Sequence, residues 1–230
     1  MNVKDWSKID YCLTYFLKFI SKEVKNVQIG EDSRQMPKTK DYMSNKKYCD
    51  ILYAYLQTIS SWDGVVGHPR VFSKKEKNFQ KISEIIGKSR QTVSKKFNTL
   101  LELGLVKERE DSYELIVLEK DLASLIPLKT LRVLVNAMSE NAISIYIYLL
   151  NRYYATLSSG KTEFMFTLSQ LKGIIGVSSN TRSNDYIIND ILTILEKIGL
   201  IKIDIRQIED QYSGDIKNNL YITNVSNSIE

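Results

Sequence analysis

The sequence predicts a mainly helical α+β protein: two tandem units of helices, each closed by a small β-hairpin, behind an amphipathic N-terminal helix. Two observations carry this. First, a letter pattern recurs. IIGKS at 85–89 returns as IIGVS at 174–178, and LGLVK at 103–107 returns as IGLIK at 198–202, the mark of one supersecondary unit used twice. Second, apolar residues fall three and four apart over most of the chain but alternate over short stretches beside charged tips, so helices should dominate and strands should be short. The predicted division is an N-terminal helix and linker at 1–39, a first unit at 40–120 and a second at 121–230.

In 4–25, Trp6, Ile9, Leu13, Phe16, Leu17, Ile20 and Val24 recur at helical spacing with lysines between them. That pattern predicts an amphipathic helix whose aromatic stripe needs cover. Packing on its own chain, pairing with a second copy and lying on a membrane surface are the three ways to supply it. Residues 26–39 have no apolar period and contain Gly30 and Pro37, so they read as a loop or linker. A helix over 46–61 buries Ile51, Leu52, Tyr55, Leu56 and Ile59. The loop after it, with two glycines and a proline, should be exposed with some extended backbone, and its His68 has no neighbouring acid or cysteine pair to give it a catalytic task.

The organising stretch is 79–113. Phe79, Ile82, Ile85 and Ile86 share one face of a short helix that Gly87 stops, and Ser89 is a natural N-cap for the next. Val93, Phe97, Leu100, Leu101 and Leu103 continue the period until Gly104 closes the last turn. Leu105 and Val106, the charged run 107–111 and the alternating 113–118 predict a hairpin. Residues 120–137 read as the connection to the second unit. There the order returns: an apolar helix from Asn141, a short strand at 164–166, a helix at 168–175, a third lined by Ile187, Ile191, Leu192, Ile194, Leu195 and Ile198, and strands at 200–206 and 219–223. The two glycines are 17 apart in the first unit and 23 in the second, which places about six extra residues between the turn and the last helix of the second.

Charge separates the halves. Residues 1–120 hold 22 basic and 16 acidic side chains, a balance of +6; residues 121–230 hold 10 and 11, a balance of −1. Nine cations lie from Arg70 to Lys96 against two acids, Glu76 and Glu84, as a phosphate footprint would require. Cys12 and Cys49 suit buried thiols in a reducing compartment better than a disulfide framework. No run of about 18 apolar residues occurs, and Asp5, Lys8 and Asp10 interrupt the plan of a signal peptide. The expectation is a soluble cytoplasmic protein on nucleoid or mobile-element DNA, without membrane contact.

No constellation for catalysis emerges. Phosphate-binding glycine loops, metal-ligand spacings and a second histidine are missing from the sequence, and the acids Glu108, Glu110 and Asp111 fall in a solvated hairpin tip. An enzyme is not expected, and neither cofactor nor metal is implied. Binding is the remaining chemistry. Arg90 and Gln91 have the donor and acceptor sets that read guanine and adenine, while Lys88, Ser89, Thr92, Ser94, Lys95 and Lys96 suit phosphate positioning, with Lys107 and Arg109 on the hairpin reaching an adjacent groove. In the second unit Ser179, Asn180, Thr181, Arg182 and Asn184 offer similar polar groups, but Asp185 and Asp190 offset Lys172 and Arg182. That unit could contact DNA or protein.

Over 46–119 this order of helix, helix, turn, helix and hairpin resembles the winged helix-turn-helix superfamily. Two such units in a chain of this length look like the plasmid and phage replication initiators and replisome organisers. The resemblance implies sequence-specific binding of double-stranded DNA, with replication proteins as further partners and a homodimer through the N-terminal helix as one arrangement. A transcriptional regulator with the same modules would present the same letters. Kleisin-binding condensin subunits share the architecture and act by protein contact, but they tend to be acidic where the first half here is basic.

Overall fold

The computed structural model describes residues 33–37, 51–62, 68–116, 123–178, 183–209, 216–226 and 229. The predicted N-terminal helix at 4–25 lies outside the described residues, as do the boundaries expected at 39/40 and 120/121. Among the described residues are seven α-helices and two small three-stranded antiparallel sheets, an α+β fold. A two-stranded ribbon accompanies them.

The element order helix, strand, helix, helix, strand, strand occurs twice. In the first unit α1 (Ile51–Ile59) leads to β2 (Arg70–Ser73), α2 (Phe79–Ile86), α3 (Arg90–Glu102), β3 (Val106–Glu108) and β4 (Ser112–Leu115). In the second, α5 (Glu140–Ser158) leads to β6 (Phe164–Phe166), α6 (Leu168–Ile175), α7 (Ser183–Lys197), β7 (Ile201–Glu209) and β8 (Ile216–Val225). The last strand takes the centre of each sheet, in the orders β2-β4-β3 and β6-β8-β7.

Local chemistry explains the boundaries. Asn78 caps α2 by accepting from the backbone N–H groups of Gln80 and Lys81, both at 3.1 Å, and Gly87 ends it in the left-handed conformation at φ 64°. Ser89 Oγ accepts from the Thr92 N–H at 3.1 Å, leaving an extended residue before α3. In the second unit Thr167 and Gln170 form a reciprocal capping box at the start of α6, and Gly176 repeats the left-handed stop at φ 68°. Val93, Phe97 and Leu100 of α3 face inward. Phe97 meets Tyr113 of β4 edge-on at 5.0 Å, and Tyr113 stacks on Phe72 of β2 at 5.3 Å, so the hairpin is held on the helices by aromatic contact.

Two features depart from the sequence expectations. Within the stretch read as linker, Ser33–Pro37 is a strand, β1, paired antiparallel with β5 (Ala123–Pro127). Its inward positions are Arg34 and Met36, so the alternation that marks a strand is broken by a charged residue. Arg34 stays buried because its Nε donates to the Gln57 carbonyl of α1 at 2.8 Å. The stretch read as a connection also holds α4 (Leu128–Ala137), which packs on α1 and α2 and buries Leu131, Val133, Leu134 and Val135. The buried apolar side chains of both units form one continuous cluster through α1, α4 and α5.

Strand limits shift modestly. The first hairpin is Val106–Glu108 with Ser112–Leu115, and Ile116 still donates to the Leu105 carbonyl at 3.1 Å; residues 117 and 118 of the expected alternating stretch lie outside the described residues. The second hairpin is longer than expected: its register runs from Ile201 opposite Val225 to Glu209 opposite Ile216, with an irregularity between Lys202 and Ile203.

Candidate nucleic-acid interface

The N-terminal half of α3 presents the polar residues singled out in the sequence. With Val93, Phe97 and Leu100 turned inward, Ser89, Arg90, Gln91 and Lys95 are exposed, while Thr92 and Ser94 are half-buried. Arg90 and Lys95 have no acidic partner among the described residues. The Ser89 hydroxyl also lies 2.9 Å from that of Thr92, so these two hydroxyls shape the start of the helix and stand beside Arg90. Gln91, Lys95 and Asn98 continue one exposed ridge down the helix, at the three- and four-residue spacing that keeps side chains on a common face.

Not every cation in the basic cluster is available to a ligand. Lys74 Nζ bonds Glu108 at 2.7 Å, which holds that carboxyl below its ordinary range and raises the ammonium. Lys77 donates to the Tyr113 hydroxyl at 2.8 Å and lies over the Phe97 ring at 4.4 Å and the Phe79 ring at 5.2 Å. It is a structural cation closing the aromatic core. Arg70 lies over Trp62 at 5.5 Å. Lys88 and Lys96, both read from the sequence as phosphate contacts, converge on Glu140 at the start of α5, at 3.4 Å and 2.8 Å. The exposed cations without an acidic partner among the described residues are thus Lys75, Lys81, Arg90 and Lys95 of the original nine, a narrower field than the sequence count implied.

On the first hairpin Lys107 and Arg109 are exposed. Arg109 Nη2 donates to Glu114 at 2.8 Å, and that bond raises the guanidinium's pKa further. Lys107 stands opposite Glu114 in the ladder. The hairpin therefore carries two cations against four acids, Glu108, Glu110, Asp111 and Glu114, a net negative charge.

The second unit answers differently. Ser179, Asn180, Thr181 and Arg182 lie outside the described residues, and Asn184 Nδ2 folds back to the Ser178 carbonyl at 3.4 Å. Lys172 is 4% exposed and is paired with Asp185 at 2.7 Å, tying α6 to α7. Arg206 holds Glu163 through two bonds of 2.6 and 2.7 Å and Asp204 through a third of 2.7 Å. Those bonds depress the Glu163 carboxyl and lift the guanidinium. The outward face of α7 carries Tyr186 at 68% and Ile187 at 48% exposure, with Asp190 beside them.

Sequence reasoning missed Glu140 altogether. It lies 44 residues from Lys96, and a lone acid after Ser139 reads only as a favourable first-turn residue of a helix. No described helix is long and apolar enough to cross a membrane. Compared with protein-family models, with curated protein sequences and with solved structures, the chain matches none.

Proposed function

We propose that the two repeated units are tandem winged helices and that the first binds double-stranded DNA in a sequence-specific manner, with α3 entering the major groove. One observation carries the reading: Arg90, Gln91 and Lys95 stand exposed on the first turns of α3, on a helix fixed by its cap and by Phe97, with no acid among the described residues turned against them. A helix of this kind brings base-reading side chains to the groove by its N-terminal residues. Arg90 pairs with the two acceptors of guanine, Gln91 with adenine, and Lys95 lies against phosphate. Lys107 on the hairpin reaches the flanking backbone. Replication initiation or replisome organisation on a plasmid or phage origin is the role this architecture fits, with transcriptional regulation as the alternative for the same modules.

A second reading applies to the second unit alone. Lys172 and Arg206 are engaged by its own acids and its third helix exposes Tyr186 and Ile187, which favours protein contact there over phosphate contact.

Selection of bound duplexes from a random pool, followed by gel shifts across a salt series, tests the main reading. Retention at low salt that weakens steeply as salt rises is expected. Absence of retention on every duplex at low salt would defeat it.

A further inference from the structure

We infer that Lys88 and Lys96 form a backbone-phosphate site that Glu140 occupies in the unbound protein, so that DNA must displace the carboxylate to use it. The inference rests on the DNA-binding reading above and adds a gate to it.

Glu140 is not an ordinary surface acid. One of its oxygens lies 2.8 Å from Lys96 Nζ and the other 3.4 Å from Lys88 Nζ. Two ammonium groups from different parts of the helix-turn-helix therefore grip one carboxylate, an arrangement equally suited to the paired oxygens of a phosphodiester. Lys88 immediately precedes Ser89, the cap of α3, so the site adjoins the exposed Arg90 and Gln91. It is open to exchange: the side chains of Lys88, Lys96 and Glu140 keep 37%, 24% and 25% of their exposure. Charge-assisted bonds at such partly hydrated positions contribute little net stability, so an incoming phosphate meets a replaceable competitor.

The carboxylate also belongs to the other unit. Ser139 caps α5 by accepting from the Ala142 N–H at 3.3 Å, and Glu140 opens that helix. Displacing it severs a polar link between the turn of the first unit and the leading helix of the second. DNA binding and the seating of the second unit are thereby coupled, and whatever favours one disfavours the Glu140 clasp.

The test measures affinity of the full chain for a mixed-sequence duplex over a salt series. Glu140→Gln should tighten binding by about tenfold at low salt, because phosphate then meets the two lysines without a competing carboxylate, while the plot of log affinity against log salt keeps the native slope, since the same phosphates are contacted in both complexes. Glu102→Gln, an equal change of charge at the exposed end of α3, should move affinity by less than about twofold. The gain from Glu140→Gln should disappear when Lys88→Gln and Lys96→Gln are also present. If Glu140→Gln behaves like Glu102→Gln, or its gain survives without the two lysines, the inference is overturned and the clasp is a joint only. Should Glu140→Gln fail to fold, Lys88→Gln with Lys96→Gln in the otherwise native chain must flatten the salt plot; an unchanged slope overturns the inference as well. Arg90→Ala and Lys95→Ala separate the two levels. Binding that responds to them but not to Glu140→Gln sinks the gate alone, whereas binding by no variant, or binding indifferent to Arg90 and Lys95, sinks the DNA reading with it.

Discussion

Aligned on the glycines that close their third helices, Gly104 and Gly199, the two units agree inside and disagree outside. Val93, Phe97 and Leu100 fall opposite Ile188, Leu192 and Leu195, and all six are buried. One turn away on the same helices, Arg90 falls opposite Asp185, Gln91 opposite Tyr186 and Lys95 opposite Asp190. The inward stripe fixes how the helix packs; the outward residues, apart from Asp185, which Lys172 holds, fix what it can touch. A shared scaffold can therefore carry one face suited to phosphate and one that repels it, and similarity of fold alone does not transfer a ligand from one unit to the other.

The largest effects concern the shared interior. Phe97→Ala should cost about 3–5 kcal/mol and Leu192→Ala about 2–5 kcal/mol. Because the buried side chains of both units form one cluster, calorimetry should record a single transition that either variant moves. Two transitions, with Phe97→Ala shifting only one, would break the comparison at its base by making the units independent.

Next comes the pair that only the second unit has. Counted from Gly87 and Gly176, Lys172 stands where the first unit has Ser83, whose hydroxyl instead donates to the Gln80 carbonyl at 2.7 Å. Removing the carboxylate takes a counter-charge from a buried ammonium, so Asp185→Ala should cost about 2–3 kcal/mol, reduced from the fully buried case because Asp185 is itself about one-third exposed. Lys172→Met, which removes the charge and keeps the volume, should be neutral or stabilising. Urea titrations of the two variants decide it, and equal losses would show that the salt link itself, rather than burial of the charge, holds α6 to α7.

The outward residues give the third contrast. Arg90→Ala should cost about 1–3 kcal/mol on the selected duplex and relax its sequence preference at one position, while Lys95→Ala should weaken all duplexes alike and lower the salt slope by about one. Their counterparts Tyr186→Ala and Asp190→Ala should leave duplex affinity within about twofold, measured by fluorescence anisotropy. A loss at Tyr186 matching that at Arg90 would put both third helices on DNA.

How far the sequence reveals all this depends on the range of the interaction. The left-handed stops at Gly87 and Gly176, the Ser89 cap and most of the buried stripes are set by residues within a few positions of one another, so their letters suffice; where apolar letters adjoin they do not, for Ile188 is buried in place of the expected Ile187, and Leu103 is exposed. The β1–β5 ribbon joins residues about ninety apart, as in Arg34 opposite Ile126, and a buried arginine hides its alternation. Glu140 and Lys77 are likewise defined by partners distant in sequence: composition counts Lys77, Lys88 and Lys96 as positive field, and only the tertiary arrangement gives them to an aromatic cluster and a carboxylate. Four of the site residues expected from the sequence, 179–182, lie outside the described residues.

The smallest effect tests a likeness that the letters do not display. In each sheet a cation lies over a tyrosine of the central strand and holds a glutamate: Lys74 over Tyr113 with Glu108, and Arg206 over Tyr221 with Glu163. The polarity is reversed, for the cation belongs to the first-strand side in one unit and to the second strand in the other. Both glutamates are held below their ordinary value of 4.5 by these hydrogen bonds. A carboxyl whose folded value is lowered stabilises the fold above its unfolded value and loses that contribution as pH falls through the folded one. Melting temperatures should therefore fall on acidification below pH 4.5, and Glu108→Gln and Glu163→Gln should each flatten that decline slightly, since exposed pairs contribute little. Glu163→Gln should flatten it more, because the guanidinium bonds both carboxylate oxygens and the Lys74 ammonium only one. An equal response would mean that the aromatic ring beneath each cation, rather than the fork of the arginine, sets the strength of the clasp.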